Sequence, residues 1–376
     1  MINSIIVLFS ISIIINTNTP DWGFFGHRKI NRYAVFTLPE DMLGFYKKHI
    51  EFLTAHAVDP DKRRYALKTE ATRHYIDIDA WDTMPFNKVP REFEEAVFKY
   101  GAFIFLDLNK DTFELKQAEQ ELRISPEIRD FNMDDRYSNE VHLPLELSCP
   151  DKLDEQVSAV IFRNRLAENG VLPFFLEEFY NRLVRSFDSN NTKAILKISA
   201  DIGHYIADAH VPLHTTLNYN GELTDQKGIH AFWESRLPEL FAEKEYDFMV
   251  GKAEYISDIR SYIWTTITES HACLESVLQN EMNLREQYPR DQQICYDERN
   301  DVTGPVQCRA FSKAYHDSMD GMVERRMRKS IHAVGSIWYS AWIDAGQPEM
   351  DKLSHNRAEE KNINKVSNLI NETHHQ

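Results

Sequence analysis

The chain has 376 residues, of which 42% are hydrophobic and 27% charged, with 13 Gly and 14 Pro. This composition suits a globular chain with a sizeable core and excludes a disordered or collagen-like one. A formal net charge of −16 argues against a protein that coats nucleic acid or anionic membranes non-specifically. It leaves phosphate-hydrolysing chemistry open, because bound cations supply positive charge locally.

Ile5 to Ile15 is an apolar run of signal-peptide length, too short to span a bilayer, with no Lys or Arg before it. The expectation is an exported protein, periplasmic or secreted. Residues 1–21 would form a signal peptide, 22–350 one domain and 351–376 a polar tail. No other segment has membrane length. Export permits disulfides. None of the four cysteines, Cys149, Cys273, Cys295 and Cys308, sits in a CxxC pair, which argues against thiolate metal ligation. Cys295–Cys308 is the most local candidate bridge, and four unpaired thiols are the alternative.

Helical periodicity dominates the rest. Residues 38–58 place Met42, Phe45, Ile50, Leu53 and Ala57 on one stripe. Residues 172–187 read as an amphipathic helix, and 194–210 as another with Ile195, Ile198, Ile202 and Ile206 along one face. A long closing helix from Met319 carries Met322, Met327, Ile331, Val334, Trp338 and Trp342, and stops at Gly346 and Pro348. That stripe reads as core packing and not as a cofactor box. No segment alternates with period two between hairpin turns, so the expected fold class is all-α, a single-domain bundle. Residues 105–165 are charged and irregular, and read as an insertion or a surface excursion.

The segment 204–214, HYIADAHVPLH, carries the strongest chemical signal. His204 and Asp208 are four apart, one turn along one helix face. Pro212 ends the helix and biases Val211 towards extended torsions, so His214 approaches separately. His210 points roughly 240° round from His204 and is left out as a ligand. Sixteen residues after His214, His230 and Glu234 repeat the four-residue spacing. A single His–Asp pair fits a bonded helix equally well. Two pairs and an offset histidine fit a zinc-type ligand set of imidazoles and carboxylates, with other hydrolytic metals as competitors.

Upstream lie WGFFGH, with Trp22 and His27, then Asp59-Pro60-Asp61, then His74 followed by Tyr75 and Asp77. Alone, His74 reads as a bonded core histidine, the Asp-Pro-Asp as a turn and Trp22 as an apolar anchor. Asp59 and Asp61 are alternative candidates for one role. Lys62, Arg63 and Arg64 are in reach of a phosphate, although such a run is more often a solvated face.

In this order the motifs resemble the superfamily of zinc-dependent phospholipase C and P-one-type single-strand nucleases, over residues 22–234 and on through the closing helix to Pro348, apart from 105–165. HxxxDxHxPxH is the specific element. The resemblance implies three zinc ions in a helical cleft. Asp59, His74, His204 and Asp208 would hold one, and Trp22, through a free amine and carbonyl, with His27 and a shared Asp208, a second. His214, His230 and Glu234 would hold the third. The family's spacing to His74 favours Asp59 over Asp61, and Asp59 would also serve as catalytic base. Tyr75 would stack on a base and Asp77 accept its hydrogen bonds. The residues before Trp22, Thr19-Pro20-Asp21, do not form a small-residue cleavage site, which leaves its processing open. The expected activity is a zinc phosphodiesterase on single-stranded nucleic acid, which the short Trp22-to-His27 gap favours. The alternative is a phospholipase C acting on phospholipid head groups, which Glu234 and the short His214-to-His230 gap favour. A catalytically idle, zinc-stabilised binding protein is a further alternative. No stable protein partner is implied.

Overall fold

The computed structural model describes residues 23–107, 112–116, 140–143, 157–299 and 302–353. Trp22, the expected signal segment, Cys149 and the chain beyond Leu353 lie outside them. The helices that position the site are α1 (Phe24–Ala34), α2 (Asp59–Arg64), α3 (Leu172–Asp188), α4 (Thr192–Ala209), α5 (Leu237–Glu245), α6 (Ile259–His271) and α7 (Met322–Asp344).

The main core forms where α1, α3, α4 and α7 pack against one another. The isoleucine stripe of α4 is buried in it, with Trp338 of α7 fully enclosed. Burying a side chain the size of Phe187 stabilises by about 1.5–3 kcal/mol. Two polar atoms are satisfied inside this core: the Trp338 indole donates to the Ser199 carbonyl at 3.1 Å, and Asn31 donates to the Ala200 carbonyl at 3.0 Å. Gly203 is required here, because a Cβ at that position would lie 2.0 Å from Asn31 Oδ1. Helix α4 begins where the Asn191 side chain accepts the Ala194 amide at 3.1 Å. It ends at His210, and Val211 is extended (φ −83°, ψ 118°) ahead of Pro212, as the pre-proline restriction requires.

The molecule is mostly helical, consistent with the all-α expectation, and the described residues add two small antiparallel sheets that the expectation did not include. Strands β1 (Ala102–Asp107), β2 (Thr112–Lys116), β3 (Glu140–Leu143) and β4 (Val157–Arg163) form one sheet in the order β2-β1-β4-β3. Strand β1 is paired on both sides, and Ile104 and Phe105 are both buried. Apolar side chains on both faces produce a continuous run rather than an alternation, so the period-two test had nothing to find. The described part of the expected irregular insertion is therefore this sheet. The second sheet is a hairpin of β5 (Ile294–Arg299) and β6 (Val302–Gln307), closed at its base by a Cys295–Cys308 disulfide. Packing continues past residue 350: Met350 and Leu353 are buried in a final helical turn. Among the described residues, no helix is long and apolar enough to cross a membrane.

Candidate metal centre

Eight side chains from six segments converge on one region. His27 comes from α1, Asp61 from α2 and His74 from the bend between the short helix Lys68–Ala71 and the 3-10 turn Ile78–Ala80. His204 and Asp208 come from α4, and His214 from a 3-10 turn at Pro212–Thr215. His230 and Glu234 come from a helix whose Phe232–Arg236 stretch is π-helical, a local distortion frequent at functional sites.

Asp208 stands between two groups of histidines. Its Oδ2 lies 2.9 Å from His74 Nδ1 and 3.3 Å from His204 Nε2. Its Oδ1 lies 3.5 Å from His214 Nδ1 and 3.6 Å from His27 Nε2. Asp61 Oδ1 approaches the first group, at 3.6 Å from His204 Nε2 and 3.8 Å from His74 Nδ1. In a third group, His230 Nε2 lies 2.7 Å from both His214 Nε2 and Glu234 Oε2. His27 connects the groups, with its ring stacked on His204 at 3.8 Å and its Nε2 3.4 Å from Glu234 Oε1.

This donor set fits a cation. Four overlapping triads, His27/Asp61/His204, His74/His204/Asp208, His214/His230/Glu234 and His27/Asp208/Glu234, each bring their ligand atoms within 4.8 Å of one another. Among the described residues, the other ring nitrogens of His27 and His74 (Nδ1 and Nε2) and His214 Nδ1, which faces Asp208, are buried without a hydrogen-bond partner, which is costly in a settled polar network. His204 is the exception: its Nδ1 is 2.8 Å from the Ala57 carbonyl. That contact fixes the hydrogen on Nδ1 and leaves Nε2 as a lone pair facing the cluster.

Electrostatics without a cation show the same need for positive charge. Burial pulls the His27 imidazole down, but Glu234, Asp208 and Asp61 outweigh it and hold it at about 9. Burial, with His27 and His74 nearby, keeps His204 well below its usual range and therefore neutral. Burial opposes charge on Glu234, yet His230 and His214 hold its carboxyl well below the usual range. Burial raises Asp61, against His27 and His74.

A cleft of 260 Å³ opens onto the cluster, lined by His27, Asp61, Asp208, His214, His230 and Glu234. Gly23, Arg64, Pro305 and Gln307 complete its wall. His230 and Glu234 are only partly buried, so solvent reaches this side.

Asp59, expected as ligand and base, is not in the cluster. It turns to His56 Nδ1 at 2.5 Å and Lys62 Nζ at 3.4 Å. One helical turn cannot point residues i and i+2 to the same side, so α2 offers one of the two aspartates, and Asp61 is the one. Of the neighbouring basic run, Lys62 pairs with Asp59. Arg63 turns inward to Asp201 at 3.1 Å and Glu70 at 3.2 Å. Only Arg64 lines the cleft. His210 is buried away from the cluster, with Nδ1 2.7 Å from the Ile206 carbonyl. Tyr75 and Asp77 are half-buried beside the cluster, and the Ile76 amide between them donates to the His214 carbonyl at 2.9 Å. Gly170, with φ +85°, lies so close to the Tyr75 carbonyl that a Cβ would be 2.2 Å from that oxygen. Burial and the adjacent Asp79 push the Asp77 carboxyl up to about 7. Burial, Asp77 and Tyr219 push the Tyr75 phenol up to about 12. The cleft wall from β6 carried no sequence signal, because Pro305 and Gln307 are far from every motif.

No protein-family model and no curated protein matches the chain.

Proposed function

We propose that this protein is a zinc-dependent phosphodiesterase of the phospholipase C and single-strand nuclease superfamily, and that it cleaves single-stranded nucleic acid. The observation that carries this reading is the position of Asp208, whose two oxygens face two separate histidine groups beside an open cleft. Asp61, His74, His204 and Asp208 would hold one ion and His214, His230 and Glu234 another. His27, with Asp208 and the Trp22 terminus, would hold a third.

Zinc bound there would lower the pKa of water towards neutrality and offset the charge of a phosphate. The chain's own groups do the rest. His204, its tautomer fixed by Ala57, offers a neutral nitrogen. Asp61 borders the cleft and takes the base role expected of Asp59, accepting a proton from the attacking water. Arg64 faces the cleft, where its guanidinium can bind phosphate oxygens. Tyr75 and Asp77, tied by backbone to the His214 turn, offer a ring and a carboxyl to the base. Water attacks the phosphorus, the P–O bond to the leaving group breaks, and no covalent intermediate forms.

A second reading is the same chemistry on phospholipid head groups. The loop between His214 and His230 favours it, with Leu217, Tyr219 and Leu223 exposed and the Tyr219 ring 5.2 Å from His230. Nucleotide release from single-stranded DNA, with and without a chelator, tests the first reading. Chelator-sensitive release supports it. No release by zinc-loaded protein that does hydrolyse phosphatidylcholine overturns it in favour of the second.

A further inference from the structure

The hairpin β5–β6 has two unlike faces. Residues opposite each other in an antiparallel pair project to the same side, and that side alternates along the strand. The register pairs Ile294 with Gln307, Cys295 with Val306, Tyr296 with Pro305 and Asp297 with Gly304. Ile294, Tyr296, Pro305 and Gln307 therefore share one face, and Cys295, Asp297 and Val306 the other.

The second face is fastened to the body. Val306 is buried, Cys295 is bonded to buried Cys308, and Asp297 pairs with the buried Arg236 at 3.3 Å. Arg236 also donates to the Gln307 carbonyl at 3.3 Å. The first face borders the cleft through Pro305 and Gln307, the same cleft that Asp61, His230 and Glu234 line. Tyr296, opposite Pro305, is 76% exposed. Among the described residues no aromatic ring packs on it.

We propose that Tyr296 is a stacking subsite for a nucleobase of single-stranded substrate where the strand leaves the cleft. The inference rests on the nucleic-acid reading above. Ions at the cluster would supply charge at the reacting phosphate, but among the described residues Arg64 is the one basic side chain lining the cleft beyond them, so a planar platform at the mouth meets a need that a basic groove meets elsewhere. The apolar part of this face is only Ile294, Tyr296 and Pro305, bounded by Glu298 and Gln307. That is wide enough for a base and too narrow to seat acyl chains.

The test is the Kd of metal-loaded protein for a phosphorothioate-linked ten-residue oligothymidylate. Wild type, Tyr296→Ala and Tyr296→Trp are compared, with hydrolysis of ordinary single-stranded DNA by the wild type recorded alongside. Tyr296→Ala should raise Kd about fivefold or more, and Tyr296→Trp should retain wild-type affinity. An unchanged Kd in Tyr296→Ala overturns the subsite even when the wild type cleaves DNA. The expected rise without any cleavage sustains the subsite and defeats the nuclease reading. A wild type that ignores the oligonucleotide but binds phosphatidylcholine vesicles through Tyr296 overturns it in favour of a lipid surface.

Discussion

His204 directs its Nδ1 at the Ala57 carbonyl oxygen, 2.8 Å away, so its Nε2 meets Asp208 and Asp61 as a bare lone pair. A backbone partner that fixes the tautomer of a ligating histidine is the usual support of a metal site. His204→Ala should lower both bound metal and phosphodiester hydrolysis, the latter about 100-fold or more. Metal content and turnover, measured on the same folded preparation, check this. Unchanged values of both would remove His204 from the site.

The two aspartates of α2 should behave differently. Asp61→Asn removes a carboxylate from the cleft and should reduce kcat by about 10²–10⁴. Asp59→Asn breaks only the contacts to His56 and Lys62 and should cost less than about tenfold. Steady-state kinetics on both variants decide, and the reverse order would restore the base role to Asp59.

Much of the candidate site was legible because its side chains sit at helical spacings. His204 and Asp208, and His230 and Glu234, announce themselves as i,i+4 pairs, and Pro212 explains the separate approach of His214. The choice between Asp59 and Asp61 was not legible. The spacing to His74 favoured Asp59, but the rotation of a six-residue helix decides which carboxylate faces the histidines, and it presents Asp61. The sheet at β1–β4 was hidden for another reason: a strand paired on both edges and apolar on both sides, such as Ala102–Asp107, has no period to detect. The cleft wall at Pro305 depends on a long-range packing contact that local sequence does not encode. The Cys295–Cys308 bridge, by contrast, was the nearest pairing available.

Buried Asp201 gives a pH dependence. Burial raises its carboxyl to about 6, against the lowering effect of Arg63. The folded-state pKa lies above the unfolded value, so the folded state holds the extra proton between pH 4 and 6. Its stabilising contribution is full below about pH 4 and lost as pH rises through 6, by roughly 3 kcal/mol. Denaturant titrations of wild type and Asp201→Asn at pH 4.5 and 7 should show wild type losing ground to the variant at the higher pH. A constant difference would contradict this.

The disulfide should hold the cleft wall. Cys295 and Cys308 are 13 residues apart, and cross-linking a loop of that size contributes about 3 kcal/mol in the chain-entropy picture. The Cys295→Ala/Cys308→Ala double variant should unfold at lower denaturant and become susceptible to proteolysis within 294–307. Identical midpoints and digestion patterns would show that Arg236 and Val306 hold the hairpin unaided.

The most direct test of the whole account is the zinc content of the purified protein, by elemental analysis against protein concentration. Two or more zinc ions per chain, reduced in Asp208→Ala by more than one because both of its oxygens face histidines, is the predicted result. A chain that carries no zinc after loading, or an Asp208→Ala variant that keeps its full complement, would contradict the metal centre and the hydrolytic function built on it.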